Sequence, residues 1–217
     1  MFGTAGIDPA TIIARVIVLL IAFTIHELAH AVTANFLGDL TPRRQGRITL
    51  NPIRHLDPFG TIMLLISGFG WAKPVMVNPN NMRGNPRTSM AIVAAAGPIS
   101  NLLMAAAASI PFRLGMMQPT FTAIGNFPSS EFVLTQFVWI NLILAFFNLI
   151  PVPPLDGYKI LLGILPVEMA YRLRPLEQYG FMILLALIFF LPLLGVDILS
   201  WFVMIPASAS MGFLFGY

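Results

Sequence analysis

Residues 26–30 read His-Glu-Leu-Ala-His, a group of side chains that could bind a metal ion and use it for hydrolysis. On an α-helix, His26 and His30 are one turn apart and share a face, so both imidazoles can reach one ion. Glu27 lies about 100° away around the helix axis, too far to be the natural third ligand. It is placed to reach a water molecule on that ion and act as a general base. The motif therefore predicts metal-assisted hydrolysis.

The third metal ligand has to come from elsewhere in the chain. A catalytic zinc ion usually takes three protein ligands plus water. The chain has no cysteine, so the candidates are His55 and the carboxylates. His55 lies in a polar loop, where we expect a loop contact. Of the nine acidic residues, Glu27 and Asp156 are the two inside long apolar stretches. Asp156 follows prolines within 151–154 that must break a helix, which favours it as the third ligand.

The composition places these residues in a membrane. Hydrophobic residues make up 57% of the 217 positions and charged residues 10%, and the mean hydropathy is +0.83. Soluble domains carry about 25% charged residues, so an integral membrane protein is predicted, with the lipid bilayer as its surroundings. The net charge of +3 is small, and nucleic acid is not expected as a partner. Imidazoles and carboxylates are costly in hydrocarbon, so their presence there indicates a function.

The apolar runs predict an all-α polytopic membrane protein with about five transmembrane helices. The first begins at Asp8-Pro9, where a capping carboxylate precedes a proline, and it ends at Gly38. This helix carries the His-Glu-Leu-Ala-His motif. The expected spans are 9–37, 88–112, 131–165, 179–194 and 197–216, the third of them broken by its prolines.

A further apolar segment, residues 58–70, is too short to cross the membrane as a helix. Basic residues flank it on both sides, so we expect it to enter the membrane and return on the same side. Re-entrant backbone of this kind must be covered by protein or line a water-filled cavity. The neighbouring residues 47–50 and 71–77 have β character and predict short strands.

The distribution of basic residues predicts the orientation. Loops 38–57, 72–88 and 166–178 are basic and should face the cytoplasm, whereas loops 113–130 and 192–197 are poorly charged and should lie outside. The N-terminus is then outside and the C-terminus inside. Counted from the cytoplasmic ends of their spans, both histidines and the aspartate lie roughly 10–16 Å below the surface. Their common depth supports a shared metal ion and an active-site opening toward the cytoplasm.

Two motifs together resemble the site-2 protease family of intramembrane metallopeptidases. They are His-Glu-Leu-Ala-His at 26–30 and Asn-Leu-Ile-Pro-Val-Pro-Pro-Leu-Asp-Gly at 148–157. Gly-Trp-Ala-Lys-Pro-Val at 70–75 and Ala-Gly-Pro-Ile-Ser-Asn at 96–101 also resemble the short prokaryotic members. The resemblance extends over about residues 20–160, with no stretch that looks like a PDZ or CBS-type domain.

The resemblance implies a mechanism and roles for five residues. His26, His30 and Asp156 would bind one zinc ion per chain, and Glu27 would activate the water. Asn148 would position the scissile peptide or stabilise its oxyanion; apart from the motif it could equally be an interhelical hydrogen-bonding residue. The implied activity is hydrolysis of peptide bonds within or near transmembrane segments of membrane-protein substrates, as in regulated intramembrane proteolysis.

Two other functions use the same residues. A membrane metal-ion transporter would need further polar ligands spaced through the membrane, whereas this chain has one cluster at one depth. A catalytically silent scaffold would not need Glu27 beside three ligands. We expect one membrane-embedded peptidase domain over 1–217, with a core at 9–165 and a C-terminal helical hairpin at 179–217, in a prokaryotic cell membrane. The sequence leaves the oligomeric state open.

Overall fold

Local sequence signals set the ends of the first helix as predicted. The computed structural model describes residues 8–60, 71–123 and 125–217, and these are mostly helical. Helix α1 spans Pro9–Leu37. Asp8 accepts a hydrogen bond from the Thr11 N–H at 2.8 Å, and Gly38 ends the helix in the left-handed conformation with φ 112°. A side chain is disfavoured in that conformation, which explains the glycine.

Four helices in the described part of the chain are long and apolar enough to cross a membrane. They are α1, α2 (Pro86–Arg113), α3 (Ser130–Asn148) and α5 (Val167–Leu193). Between α3 and α5 lies the short helix α4 (Asp156–Ile164), and a shorter apolar helix, α6 (Ser200–Phe215), follows α5. An integral membrane protein is therefore confirmed. The predicted count of five full spans is not confirmed, because α6 is shorter than the four spanning helices.

Helices α1 and α2 pack along ridges of residues spaced four apart. Residues at this spacing form one inclined row on a helix surface, which fits the groove of a neighbouring helix. Small side chains dominate both rows and allow the backbones to approach closely. The buried row of α1 is Ala10, Ala14, Val18, Ala22, His26, His30 and Ala34, and that of α2 is Ser89, Val93, Gly97, Asn101, Ala105 and Ser109.

The predicted break in the third apolar run is confirmed. Helix α3 ends at Asn148, and the chain resumes as helix α4 at Asp156. The close approach of α4 to the end of α3 requires a glycine. A Cβ on Gly157 would lie 2.2 Å from the Leu149 carbonyl oxygen and 2.5 Å from that of Ile150. The motif thus turns the chain within the membrane and brings Asp156 inward.

The C-terminal helices pack against the helices that come before them. Helix α6 contributes Ala207, Met211 and Phe215 to a hydrophobic cluster with residues of α2 and α3. Helices α5 and α6 also cover the proline-containing segment, where Val203 packs with Ile150 and its neighbours. A tight turn at Pro192–Gly195 joins α5 to the segment before α6, as predicted, with the Gly195 N–H donating to the Pro192 carbonyl at 3.1 Å.

The predicted short strands are not found among the described residues. Residues 48–50 form bends, and 71–77 is irregular apart from one antiparallel bridge between Leu56 and Ala72. Pro74 has no N–H to donate, and its carbonyl binds the Arg47 side chain, so regular strand pairing is interrupted there. The re-entrant segment predicted at 58–70 lies outside the described residues from 61 onward.

Candidate metal centre

The buried row of α1 brings His26 and His30 to the contact between α1 and α2. Both histidines are buried, at 6% and 8% exposure. Opposite them lies Gly97 of α2, where an added Cβ would come within 2.5 Å of both imidazole rings. A glycine is therefore needed for the two rings to fit between the helices.

Asp156 reaches the same point from the N-terminus of α4. Its Oδ2 lies 3.2 Å from His26 Nε2 and 3.1 Å from His30 Nε2, and the two Nε2 atoms are 3.1 Å apart. The three atoms form a nearly equilateral triangle. In a tetrahedral site with bonds of about 2.0–2.1 Å, ligand atoms are about 3.3–3.4 Å apart. The triangle therefore has the dimensions of one face of a tetrahedral zinc site.

Hydrogen bonds fix which nitrogen of each ring carries the proton. His30 Nδ1 lies 2.7 Å from the Val93 carbonyl, which can only accept, so Nδ1 of His30 donates. His26 Nδ1 lies 2.6 Å from Asn101 Oδ1, and Asn101 Nδ2 donates to Asn141 Oδ1 at 2.7 Å.

The orientation of both amides follows from a main-chain carbonyl. Asn141 Nδ2 donates to the Phe137 carbonyl at 2.9 Å, which leaves the oxygen of Asn141 to accept from Asn101. The oxygen of Asn101 then faces His26, whose Nδ1 must donate. A neutral ring with a proton on Nδ1 has a lone pair on Nε2, the form that binds a metal.

This hydrogen-bonding pattern makes the cluster a candidate cation site. When both rings are neutral, two Nε2 lone pairs and a carboxylate oxygen face one another, and this arrangement is repulsive until a cation enters. Two imidazoles and one carboxylate match the ligand set of catalytic zinc sites. Among the described residues, His26, His30 and Asp156 are the group of side chains that could hold a metal ion.

Glu27 lies beside the cluster but outside it. The residue is 9% exposed, and its Oε2 accepts a hydrogen bond from the Val75 N–H at 3.1 Å. The predicted base thus has a backbone partner from the segment that returns after residue 70. Lys159 places its Nζ 3.9 Å from Asp156 Oδ1.

The two remaining candidates lie apart from the cluster. Asn148 ends α3, and its Nδ2 donates to the Leu144 carbonyl at 2.9 Å rather than contacting the histidines. His55 is fully buried, with its Nε2 2.9 Å from the Thr49 carbonyl, so it makes a loop contact as predicted.

Sequence reasoning missed the partners of the histidines. The interhelical hydrogen bond between Asn101 and Asn141 continues to His26. The available signal was the row of small and polar residues spaced by four in α2. Contacts from main-chain groups, such as the Val93 carbonyl and the Val75 N–H, have no signature in a single sequence.

Comparison with known proteins decides the family. Over 176 residues, the chain is 45% identical to a Bacillus subtilis (strain 168) protein named as a zinc metalloprotease, YwhC, covering 79% of this chain and 78% of that protein. The family model described as Peptidase family M50 matches residues 114–191, which contain Asn148 and Asp156. The chain belongs to peptidase family M50. It is an intramembrane zinc protease, as the site-2 protease resemblance implied.

More distant M50 relatives are named in the same way. A Mycolicibacterium smegmatis protein named as the zinc metalloprotease Rip2 is 30% identical over 175 residues, covering 78% of this chain and 64% of the relative. The Mycobacterium tuberculosis (strain H37Rv) Rip2 protein is 32% identical over 189 residues, covering 84% and 67%. No solved structure matches the chain. The names support zinc as the cofactor, in agreement with the chemistry of the cluster.

Proposed function

We propose that His26, His30 and Asp156 hold the catalytic zinc ion of this M50 peptidase, and that Glu27 is its general base. The observation that carries the proposal is the convergence of three potential ligand atoms within 3.2 Å of one another. A buried carboxylate lies next to them. The proposed substrates are membrane proteins cut within or near a transmembrane segment, which would release a tethered portion.

The proposed mechanism assigns each proton to a residue. Bound zinc would supply Lewis acidity, which acidifies water and polarises the scissile carbonyl. Glu27 would take a proton from the attacking water while the water oxygen bonds to the carbonyl carbon of the scissile peptide. As the C–N bond breaks, Glu27 would return that proton to the leaving amine nitrogen. The Val75 N–H binds one carboxylate oxygen and leaves the other to receive the proton.

Asn148 is proposed to bind the substrate peptide or its oxyanion through its side-chain amide. Support comes from its place at the end of α3, where the chain turns toward Asp156. Its Nδ2 donates to the Leu144 carbonyl, so the side chain would have to exchange this hydrogen bond for one to the substrate. An oxyanion donor of this kind contributes roughly 10²–10³-fold to kcat.

The substrate is proposed to bind in an extended conformation beside the segment 71–77 or the loop 46–50. A peptide bond within a helix is shielded, so the substrate must unwind before water can reach its carbonyl. The irregular backbone of 71–77 passes next to Glu27 and could pair with an extended chain.

The proposed unit is one membrane-embedded domain spanning 1–217, with a core at 9–165 and the hairpin 179–217 packed against it. The contacts of α6 with α2 and α3 support this grouping. We also propose that the N-terminus lies outside and that the C-terminus and the site opening face the cytoplasm. A transporter is not favoured, because the described residues contain one ligand cluster at one depth.

Metal analysis of the purified protein tests the ligands. We expect about one zinc ion per chain and a near-complete loss of zinc in Asp156→Ala. A protonated imidazole could instead satisfy Asp156 by donating to it, so a protein that binds no zinc at any concentration would contradict the assignment.

Cleavage of a defined probe tests the base. The probe is a tagged single-span reporter protein whose apolar segment contains a Gly-Pro pair, which weakens the helix. We expect Glu27→Gln to keep zinc and lose cleavage by about 10²–10⁴-fold. Full activity of Glu27→Gln with zinc bound would show that another group is the base.

A further inference from the structure

A buried arginine lies behind the proposed base. Arg47 is 5% exposed, and its guanidinium donates to the Arg54 carbonyl at 2.6 Å and to the Pro74 carbonyl at 2.8 Å. Within the described ranges it pairs with no carboxylate. Burying a cation costs several kcal/mol unless hydrogen bonds compensate, so a buried arginine whose partners are two carbonyls calls for an explanation.

The two carbonyls belong to the two chain segments that lead into and out of residues 61–70. Residues 54–56 and 72–74 run side by side and are joined by the antiparallel bridge between Leu56 and Ala72. The side chain of Arg47 connects both segments at the end of this pairing. Arg47 therefore fixes the position of residues 72–74 relative to the loop that follows α1.

One peptide group connects Arg47 to Glu27. The carbonyl of Pro74 accepts from Arg47, and the N–H of Val75 donates to Glu27 Oε2 at 3.1 Å. This carbonyl and this N–H belong to the same planar peptide unit, which moves as a rigid body. A cation at one end and an anion at the other also polarise the unit and strengthen both hydrogen bonds.

The geometry points to Arg47 as a positioning residue that holds the Glu27 carboxylate in place through the Pro74–Val75 peptide. The inference rests on the proposed role of Glu27 as the base. The Arg47 guanidinium contacts the Arg54 and Pro74 carbonyls, so it would act on Glu27 through the peptide and not on the reacting atoms. Without Arg47, the peptide can rotate or shift, and Glu27 loses its fixed orientation toward the water. Displacements of about 1 Å at this distance from the chemistry can cost on the order of 10²-fold in rate.

Substitution of Arg47 tests the inference on the single-span reporter. We expect Arg47→Met, which keeps the aliphatic length, to lower kcat by about 10- to 100-fold with an unchanged zinc-to-protein ratio. Arg47→Lys can reach one of the two carbonyls and should recover part of the loss. Arg44→Met is the matched control, because Arg44 is an exposed cation in the same loop, and it should match the unsubstituted enzyme.

A second variant acts on the peptide itself and leaves Arg47 in place. Val75→Pro removes the N–H that binds Glu27 and should reproduce the loss of kcat with zinc retained. Full activity of Val75→Pro overturns the inference, and lost activity with bound zinc shows that the N–H it requires positions Glu27. If Arg47→Met fails to fold, Arg47→Lys takes its place: a reduced kcat with unchanged zinc supports the inference, and an unchanged kcat overturns it.

The double variant separates a shared route from two independent ones. If Arg47 acts through this peptide, Arg47→Met adds little to Val75→Pro, because the connection is already cut. Multiplied losses would overturn the inference, as would normal kcat in Arg47→Met. Failure of the base assignment is recognised separately, by an active Glu27→Gln enzyme.

Discussion

At the scale of single residues, the two histidines are held in different ways. His30 donates to a main-chain carbonyl, whose place is set by helix α2 itself. His26 depends on the side chain of Asn101, which Asn141 holds in turn. The hydrogen bond of His30 goes to the main chain and does not use the Val93 side chain, whereas that of His26 can be removed by substituting Asn101. Asn101 is therefore the point at which the ligand geometry can be tested without touching a ligand.

We expect Asn101→Leu to weaken zinc binding by about 10- to 100-fold, the usual cost of losing the partner of a ligating histidine. Without the acceptor, the Nδ1 proton of His26 is buried and unsatisfied, and the ring loses its orientation. Zinc affinity would be measured on the purified protein by competition with a chelator. Ser109→Ala is the control, since Ser109 is a buried polar residue of the same row that bonds the Ala106 carbonyl. Equal affinities for Asn101→Leu and the unsubstituted protein would exclude this role.

At the scale of elements, Asp39 joins the end of α1 to the segment that returns toward Glu27. Its fully buried carboxylate accepts from the Thr41 N–H and hydroxyl, from the Asn78 N–H at 2.7 Å and from Asn81 Nδ2 at 3.1 Å. Burial alone would raise the pKa of Asp39, but these hydrogen bonds outweigh it and hold the pKa below the usual 3.8. Because the pKa is lower in the folded protein, the stabilisation is present above about pH 4 and is lost as the pH falls further.

Asp39→Asn should accordingly lower the free energy of unfolding by about 1–3 kcal/mol at pH 7. The NH2 group of the new side chain would face hydrogen-bond donors that need an acceptor. The difference from the unsubstituted protein should shrink as the pH falls below 4, where Asp39 becomes protonated in both states. Thermal unfolding in detergent across this pH range measures it, with the exposed Glu168→Gln as control. A difference that stays constant with pH would mean that the charge of Asp39 is not responsible.

The elements also show what a single sequence can and cannot predict. The spacing of His26 and His30 is local, and a carboxylate such as Asp156 inside an apolar run is rare, so a single sequence suffices to propose all three as ligands. The break after Asn148 followed from prolines, whose effect on a helix is also local. The strand expected at 71–77 is absent because the Arg47 side chain donates to the Pro74 carbonyl. These two residues are 27 positions apart in the sequence. Such contacts depend on which segments become neighbours, and periodicity does not encode that.

At the scale of the whole molecule, the same limit applies to orientation, which charge distribution predicts but helix packing does not reveal. Residue 45, in the loop after α1, and residue 177, in the first half of α5, should share one side of the membrane, and the loop around residue 118 should lie on the other. These positions are polar and exposed: Gln45, Gln118 and Glu177. None of them is a proposed zinc ligand, so substitution at these exposed positions should leave the fold and the proposed zinc site intact.

The chain has no cysteine, so each engineered cysteine would be its only labelling site. In intact cells, a membrane-impermeant maleimide that reaches only the outer face of the membrane should label Gln118→Cys. It should not label Gln45→Cys or Glu177→Cys. After the membrane is opened, all three should react, which controls for accessibility. The reverse pattern would place the site opening outside. Opposite behaviour of Gln45→Cys and Glu177→Cys would mean that the number of crossings between them is odd, and a further span would then have to lie in that interval.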